Sequence, residues 1–371
     1  MKNTSFSLRP LIAATLLAAS MSATAYAQTP QRVAPVPAEA TAIELFDGGI
    51  RRALSYGIYE VAYSAATDSI YVASAESSPN VKGGQIFKLD PRTLETTGLT
   101  HTDKKNFALT TNPAGDTLYV TNSLQSGISA IDLKTGDVKG HLKFENKASD
   151  GTPYGPRQVI YQQDGDLLYV GGVGAPGVIW VVDAKTLKLV NTIENAGKWV
   201  TGLLIDPEAK RLYSANGDGE VLVIDSEKHT ILERWHPQDG RKFLLLNLAL
   251  DKKTHRLFVT DNSEAKTVLV FDTRTGKVQD ELKVGDAMGI KLNPIRNELY
   301  ITHRMQGTVS VLDATTYKVL KTYNLPINPN SLAIDPTGQV LYVTIKTPFN
   351  KDYSASGRGS IARIDLSEIK K

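Results

Sequence analysis

The chain has 371 residues, of which 41% are hydrophobic, with 42 Lys or Arg against 39 Asp or Glu and no cysteine. The missing cysteine excludes disulfides, thiol chemistry and a lipoprotein anchor together. The near balance of charge means that any preference for polyanions must come from local arrangement and not from the total.

At the N-terminus, Lys2 and Arg9 precede an apolar run over residues 11–19, and Ala25-Tyr26-Ala27 places small residues at the two positions a signal peptidase reads. Residues 1–27 are therefore expected to be a signal peptide cleaved before Gln28. The run is far below the ~20 residues needed to span a bilayer, and nothing later in the chain approaches that length. Export without cysteine fits the bacterial periplasm, where a large core removes the need for covalent staples. Residues 28–42 are rich in Pro and Ala and read as a flexible leader, with residues 43–371 as the folded body.

From Tyr59 to Leu366 one unit recurs seven times: an apolar strand, a turn of Asp, Gly and Pro, a strand carrying an aromatic, then a strand ending in Asp. The aromatics are Tyr71, Tyr119, Tyr169, Tyr213, Phe258, Tyr300 and Tyr342, with gaps of 48, 50, 44, 45, 42 and 42 residues. The closing acids are Asp90, Asp132, Asp183, Asp225, Asp272, Asp313 and Asp365. Length alone suggests two or three domains, but a period of about 40 to 50 residues built from strands and tight turns predicts the blades of one seven-bladed β-propeller. The fourth unit reads as four antiparallel strands over residues 203–206, 211–215, 221–225 and 230–234. Short apolar runs such as residues 178–182 (VIWVV) suit strands covered on both faces. Asn112-Pro113-Ala114-Gly115-Asp116 and Asp335-Pro336-Thr337-Gly338 supply the fixed or positive φ of a tight reversal. The seventh unit ends just after its third strand, which leaves an unpaired edge. Residues 50–54 (IRRAL) sit where an outer strand should be, and are expected to close the ring on the seventh blade.

Individual words strengthen this architecture. Tyr119-Val120-Thr121-Asn122 is the YVTN tetrapeptide, with variants at Tyr213-Ser214-Ala215-Asn216, Phe258-Val259-Thr260-Asp261, Tyr300-Ile301-Thr302-His303 and Tyr342-Val343-Thr344-Ile345. The chain resembles the YVTN-type β-propeller family, and its periplasmic members in enteric bacteria more closely, through KGGQIFKLDPRTLE (82–95), IDLKTGDVKGHL (131–142), VIWVVD (178–183), DGEVLVID (218–225) and THRMQGTVSVLDATTYKV (302–319). The likeness spans residues 50–366. It implies a seven-bladed periplasmic ring that binds single-stranded DNA without enzymatic activity, but it supplies no motif that names contact residues.

Those are expected from geometry. Loops leaving each outer strand for the next inner strand share one face with the loops joining second and third strands. The first kind includes Lys104-Lys105-Asn106-Phe107, Tyr154-Gly155-Pro156-Arg157, Gly197-Lys198-Trp199, Gly240-Arg241-Lys242-Phe243 and Asn328-Pro329-Asn330; the second includes Lys82, Lys266, His303-Arg304, Lys346 and Arg358. Cations that track phosphates beside flat rings that accept bases are what single-stranded nucleic acid requires. The candidate contacts are Lys104, Phe107, Arg157, Lys198, Trp199, Arg241, Lys242, Phe243, His303 and Arg304. For Trp199, packing beneath its loop is the competing role, and Arg157 and Arg304 have Asp261 and Asp286 as alternative partners.

Other chemistry fails on context. Gly172-Val173-Gly174-Ala175-Pro176-Gly177 matches the dinucleotide fingerprint letter for letter, but it runs into a strand where that site needs a helix N-terminus. The six histidines never fall in metal-ligand spacing, and no nucleophile motif is present, so neither a cofactor nor a metal is expected. The protein is expected to be a monomer, and two further readings remain: a scaffold that docks an outer-membrane or envelope protein, signalled by an exposed apolar patch, and a lactonase-like hydrolase with a carboxylate beside His303.

Overall fold

The computed structural model describes residues 42–78 and 81–369. The expected signal peptide and all of the expected leader but residue 42 lie outside the described residues. Within them, 29 β-strands form seven antiparallel sheets. The first blade runs outward through Ile58–Ser64, Ser69–Ser74, Gly84–Leu89 and Thr96–Thr102. Its successors repeat that order, and the fourth, Gly202–Asp206, Arg211–Ala215, Val221–Asp225 and Thr230–Trp235, agrees with its predicted strands to within a residue.

The repeated residues have local causes. Each closing acid builds the turn after its strand: Asp225 Oδ1 accepts the amides of Glu227 and Lys228, both at 2.9 Å, and Asp132 Oδ1 those of Lys134 and Thr135 at 2.8 and 3.1 Å. This side-chain mimic of a backbone turn is why Asp recurs there. In three of the seven repeats the aromatic reaches across to the next blade. Tyr119 donates its hydroxyl to the carbonyl of Ala184, Tyr169 to that of Ser226 and Tyr342 to that of Pro91, at 2.9, 2.8 and 2.9 Å. Each acceptor is the residue after a neighbour's closing Asp, so ring and acid of successive repeats interlock, and Tyr342 carries the interlock from the seventh blade to the first.

The seventh blade contributes Pro329–Ile334, Val340–Ile345 and Arg358–Asp365 in sequence, and Gly49–Tyr56 completes it. Gly49 pairs with Ile364 and Ala53 with Ser360, so the predicted closing segment lies inside this strand. A fifth strand that the sequence reading missed, Ile43–Phe46, folds back on it with Ile43 opposite Arg52. Apolar cores form between blades: Val61, Ile70 and Leu89 of the first meet Tyr342 and Ile361 of the seventh. Each such fully buried aliphatic contributes about 1.5–3 kcal/mol.

The fingerprint-like glycines belong to this packing. A Cβ on Gly174 would meet the Tyr154 ring at 2.3 Å, and one on Gly177 the Gly197 carbonyl oxygen at the same distance. Trp180, fully buried, stacks on Phe144 at 3.8 Å and donates its ring N–H to Asn146 on the loop between the second and third blades.

Candidate functional site

Residues of all seven inner strands wall a central channel of about 550 Å³. Its mouth is fixed by the third letter of the YVTN word. Thr121 Oγ1 accepts the amide of Ala108 at 3.0 Å and donates to the carbonyl of Arg157 at 2.9 Å. In the same way Thr344 joins the amide of Ser331 to the carbonyl of Tyr59, and Thr302 joins the amide of Gly289 to the carbonyl of Asn330. Each threonine ties its own inner strand to the beginning of the next, so the side chains starting the inner strands are held in register around the axis.

Four cations from three blades line the channel and its mouth: Arg157 of the third, Lys291 and Arg304 of the sixth and Lys346 of the seventh. Lys346 Nζ lies 3.8 Å from the centroid of the Tyr59 ring and the Arg157 guanidinium carbon 5.7 Å from it, while Phe107 meets Tyr59 edge-on at 4.6 Å. Arg304 donates from Nη2 to Asn330 Oδ1 at 2.7 Å, and Asn330 Nδ2 donates to the Tyr59 carbonyl at 3.1 Å. The Arg304 Nε is buried with no acceptor among the described residues. None of the four cations forms an ion pair among those residues.

The electrostatics follow from enclosure and like charge. Burial, then Arg304 and Arg157, hold the Lys346 ammonium well below the ordinary lysine range, with Glu60 opposing. Burial and Arg157 bring Arg304 down to about 10. Lys291 is exposed to the channel yet ringed by protein, which lowers its pKa against the pull of Glu60. Enclosure raises the Glu60 carboxyl, and Arg157, Lys291 and Lys346 draw it back. A group of cations partly enclosed by protein, with too few counter-charges, is stabilised by any anion that enters.

The ten candidate contacts divide in this geometry. Arg157 and Arg304 stand in the cluster, with Phe107 buried beneath Tyr59. Lys198 and Trp199 form a half-buried pair, ammonium 4.0 Å over the ring, on the loop before the fourth blade. Lys104 pairs with Asp103 at 2.5 Å, and Arg241 is held by Asp239 and Glu281, so both are already compensated. Lys242 is exposed. Phe243 is sealed in the core with Trp235 and Leu245, with the Arg241 guanidinium over its ring, and offers no face to a base. His303 is also buried: its Nδ1 meets the Asp286 carbonyl at 3.0 Å and its Nε2 the Ser310 hydroxyl at 2.9 Å. Burial lowers its pKa, and neither nitrogen is left for a substrate. Of the alternative partners, Asp261 turns inward to the amides of Leu244 and Ser263, and Asp286 accepts the Met305 amide.

Tyr59, Glu60 and Lys291 escaped the sequence reading because attention fell on loops. Their signal was available: Glu60, Arg157 and Lys291 are charged residues within inner strands, away from the closing ends, where neighbours are apolar or small.

Comparison with known proteins places this ring. The uncharacterized protein YncE of Salmonella typhimurium is 42% identical over 320 residues, covering 85% of this chain and 90% of that protein, and its Escherichia coli K12 counterpart is 41% identical over the same span. The chain belongs to the YncE family. Antigen Lp49 of Leptospira interrogans is 26% identical over 233 residues, 60% of this chain and 49% of that antigen. No family model matches the chain. Among solved structures, hydrazine synthase of Kuenenia stuttgartiensis superposes with a TM-score of 0.64 at 19% identity over 77% of this chain and 92% of that one, a likeness of fold alone.

In this YncE-family ring a larger crevice of about 850 Å³ lies between the second and third blades, away from the mouth, lined by Tyr119, Tyr161, Asp116, Lys139, Asp166 and Lys185. Its charges are already matched: Lys185 pairs with Asp166, and Lys139 donates to Thr117 beside Asp116. Size favours the crevice, but uncompensated charge favours the channel mouth, and charge is the better guide to an anion. Among the described residues no group of three His, Asp or Glu could hold a metal.

Proposed function

We propose that this YncE-family protein is an exported, monomeric periplasmic binding protein that holds single-stranded DNA or another extended polyanion at the channel mouth, without catalysis. One observation carries the reading: Arg157, Lys291, Arg304 and Lys346 line the channel and its mouth with no ion-pair partner among the described residues. Cations beside flat rings favour a single strand, because phosphates engage the charges while bases stack at roughly 1–3 kcal/mol each without sequence being read. Tyr59 lies beside Lys346 and Arg157, and half-buried Trp199, beside Lys198, is a second ring for that stacking. Fluorescence anisotropy of a labelled single strand, compared with a duplex of the same sequence, tests the reading. Wild type should prefer the single strand, and the triple change Arg157→Ala, Arg304→Ala, Lys346→Met should abolish most of the binding. Equal affinity of wild type and the folded triple variant would refute it.

A second reading, docking of an envelope protein on the same face, is favoured by exposed Met305, Ile327, Phe349 and Tyr353 on loops of the sixth and seventh blades. It predicts no oligonucleotide binding by wild type, together with loss of partner capture on Phe349→Ser, Tyr353→Ser.

A further inference from the structure

We propose that the channel mouth takes a phosphomonoester dianion end-on, whether the phosphorylated terminus of a polynucleotide or a small phosphate ester, in preference to the diesters along a chain. This deepens the proposed function and rests on its reading of the mouth as an anion site.

Three features select that group. The first is charge. An entering anion favours the protonated form of Lys346, and with Arg157, Lys291, Arg304 and Lys346 all charged against the two carboxylates Glu60 and Asp286 the excess is two positive charges. A monoester dianion neutralises that excess, whereas one diester supplies half of it. The second is donor geometry. The Arg304 Nε–H is buried without an acceptor while its Nη2 is fixed by Asn330, and the Arg157 guanidinium has no hydrogen-bond acceptor among the described residues. Forked guanidinium donors match the several free oxygens of a terminal phosphate, since a diester has surrendered one more oxygen to its ester link. The third is placement. Arg157, Arg304 and Lys346 interact at the mouth, Lys291 stands deeper on its inner strand, level with Ile160, and Glu60 lies within electrostatic reach of Arg157, Lys291 and Lys346, while much of the channel wall is apolar, including Val159, Leu204, Leu332 and Ile334. A strand continuing past the mouth would have to descend and return through the same ring of loops, while a chain end needs only to enter.

The test uses the mature protein and three single strands of one sequence, bearing a 5′-phosphate, a 3′-phosphate or hydroxyls at both ends. Calorimetric titration with glycerol phosphate runs alongside. A phosphorylated end should bind about tenfold more tightly than the hydroxyl form, the value of one further charge-assisted hydrogen bond. Glycerol phosphate should compete with it. Arg304→Lys keeps the charge but removes the Nε–H, and should erase the preference while the strand still binds; this comparison stands even if Arg304→Ala fails to fold. Equal, salt-sensitive affinities for all three strands would overturn the end-on inference and leave the polyanion reading intact. Binding of glycerol phosphate without any strand would sustain the inference and sink the polyanion reading. Binding of neither would overturn both.

Discussion

Replacing the mouth cations tests the charge argument through salt dependence. Arg157, Arg304 and Lys346 surround one ring, and each is taken to neutralise one phosphate when a strand lies across them. For single strands the slope of log affinity against log salt is about −0.7 per phosphate, so three contacts give a slope of about −2.1. Between 50 and 200 mM salt, wild-type affinity should then fall about 18-fold. The double change Arg157→Ala, Lys346→Met leaves one contact, a slope of about −0.7 and a fall of only about 2.6-fold over the same interval. Exposed cations such as Lys242 should behave differently. Lys242→Ala, which removes a charge with no enclosure, should shift the slope little. Anisotropy at four salt concentrations, with melting curves to verify folding, reads all of these. If the double variant keeps the wild-type slope, the strand does not touch this cluster and the reasoning fails.

Lys346→Met should stabilise the empty protein. The folded-state pKa of Lys346 lies below its unfolded value, so the unfolded chain holds more protons between the two, and wild-type stability rises with pH across that window. The Met variant lacks this penalty, so its advantage should be greatest below the depressed pKa and shrink toward about pH 10, where the unfolded lysine also loses its proton; denaturant midpoints across pH that show a constant gap would contradict it. Tyr169→Phe removes the hydroxyl that crosses to the Ser226 carbonyl and should cost about 1–3 kcal/mol in denaturant unfolding, whereas Tyr213→Phe, with no such bond among the described residues, should be nearly neutral. An equal cost for both would remove the interlock from the account. Deleting residues 43–54 strips the closing strand from the seventh blade and should unfold or aggregate the protein, so an unaltered melting temperature would disprove the closure.

The blades were legible because their marker residues do local work that only those side chains can do. Asp225 recurs as Asp132 and Asp313 do because a short carboxylate can imitate a turn, and Tyr119 and Tyr169 recur because a hydroxyl must reach a neighbour's carbonyl across a ring's width. The closing segment was legible from a missing edge. The added strand Ile43–Phe46 was not, since it is only four residues long and its alternating Ile43 and Leu45 are exposed, where the pattern of a half-buried strand expects them to be covered. The site was only half legible. Loop position found Arg157 and Arg304 but could not tell them from Arg241, whose partners Asp239 and Glu281 come from nearby in sequence and from a different strand. Nor could it show that Phe243 faces inward, because a loop aromatic at the start of an inner strand reads the same whether its ring tips toward the axis or into the seam between blades.

Joining Gly49–Tyr56 to Arg358–Asp365 makes completion depend on two stretches made at opposite ends of synthesis; Arg51 Nη1 donates to Ser360 Oγ across 309 positions. The early stretch has no edge to zip onto until the late one emerges. Until then every intermediate carries an open seam, and the seventh blade is whole only once both stretches are in place.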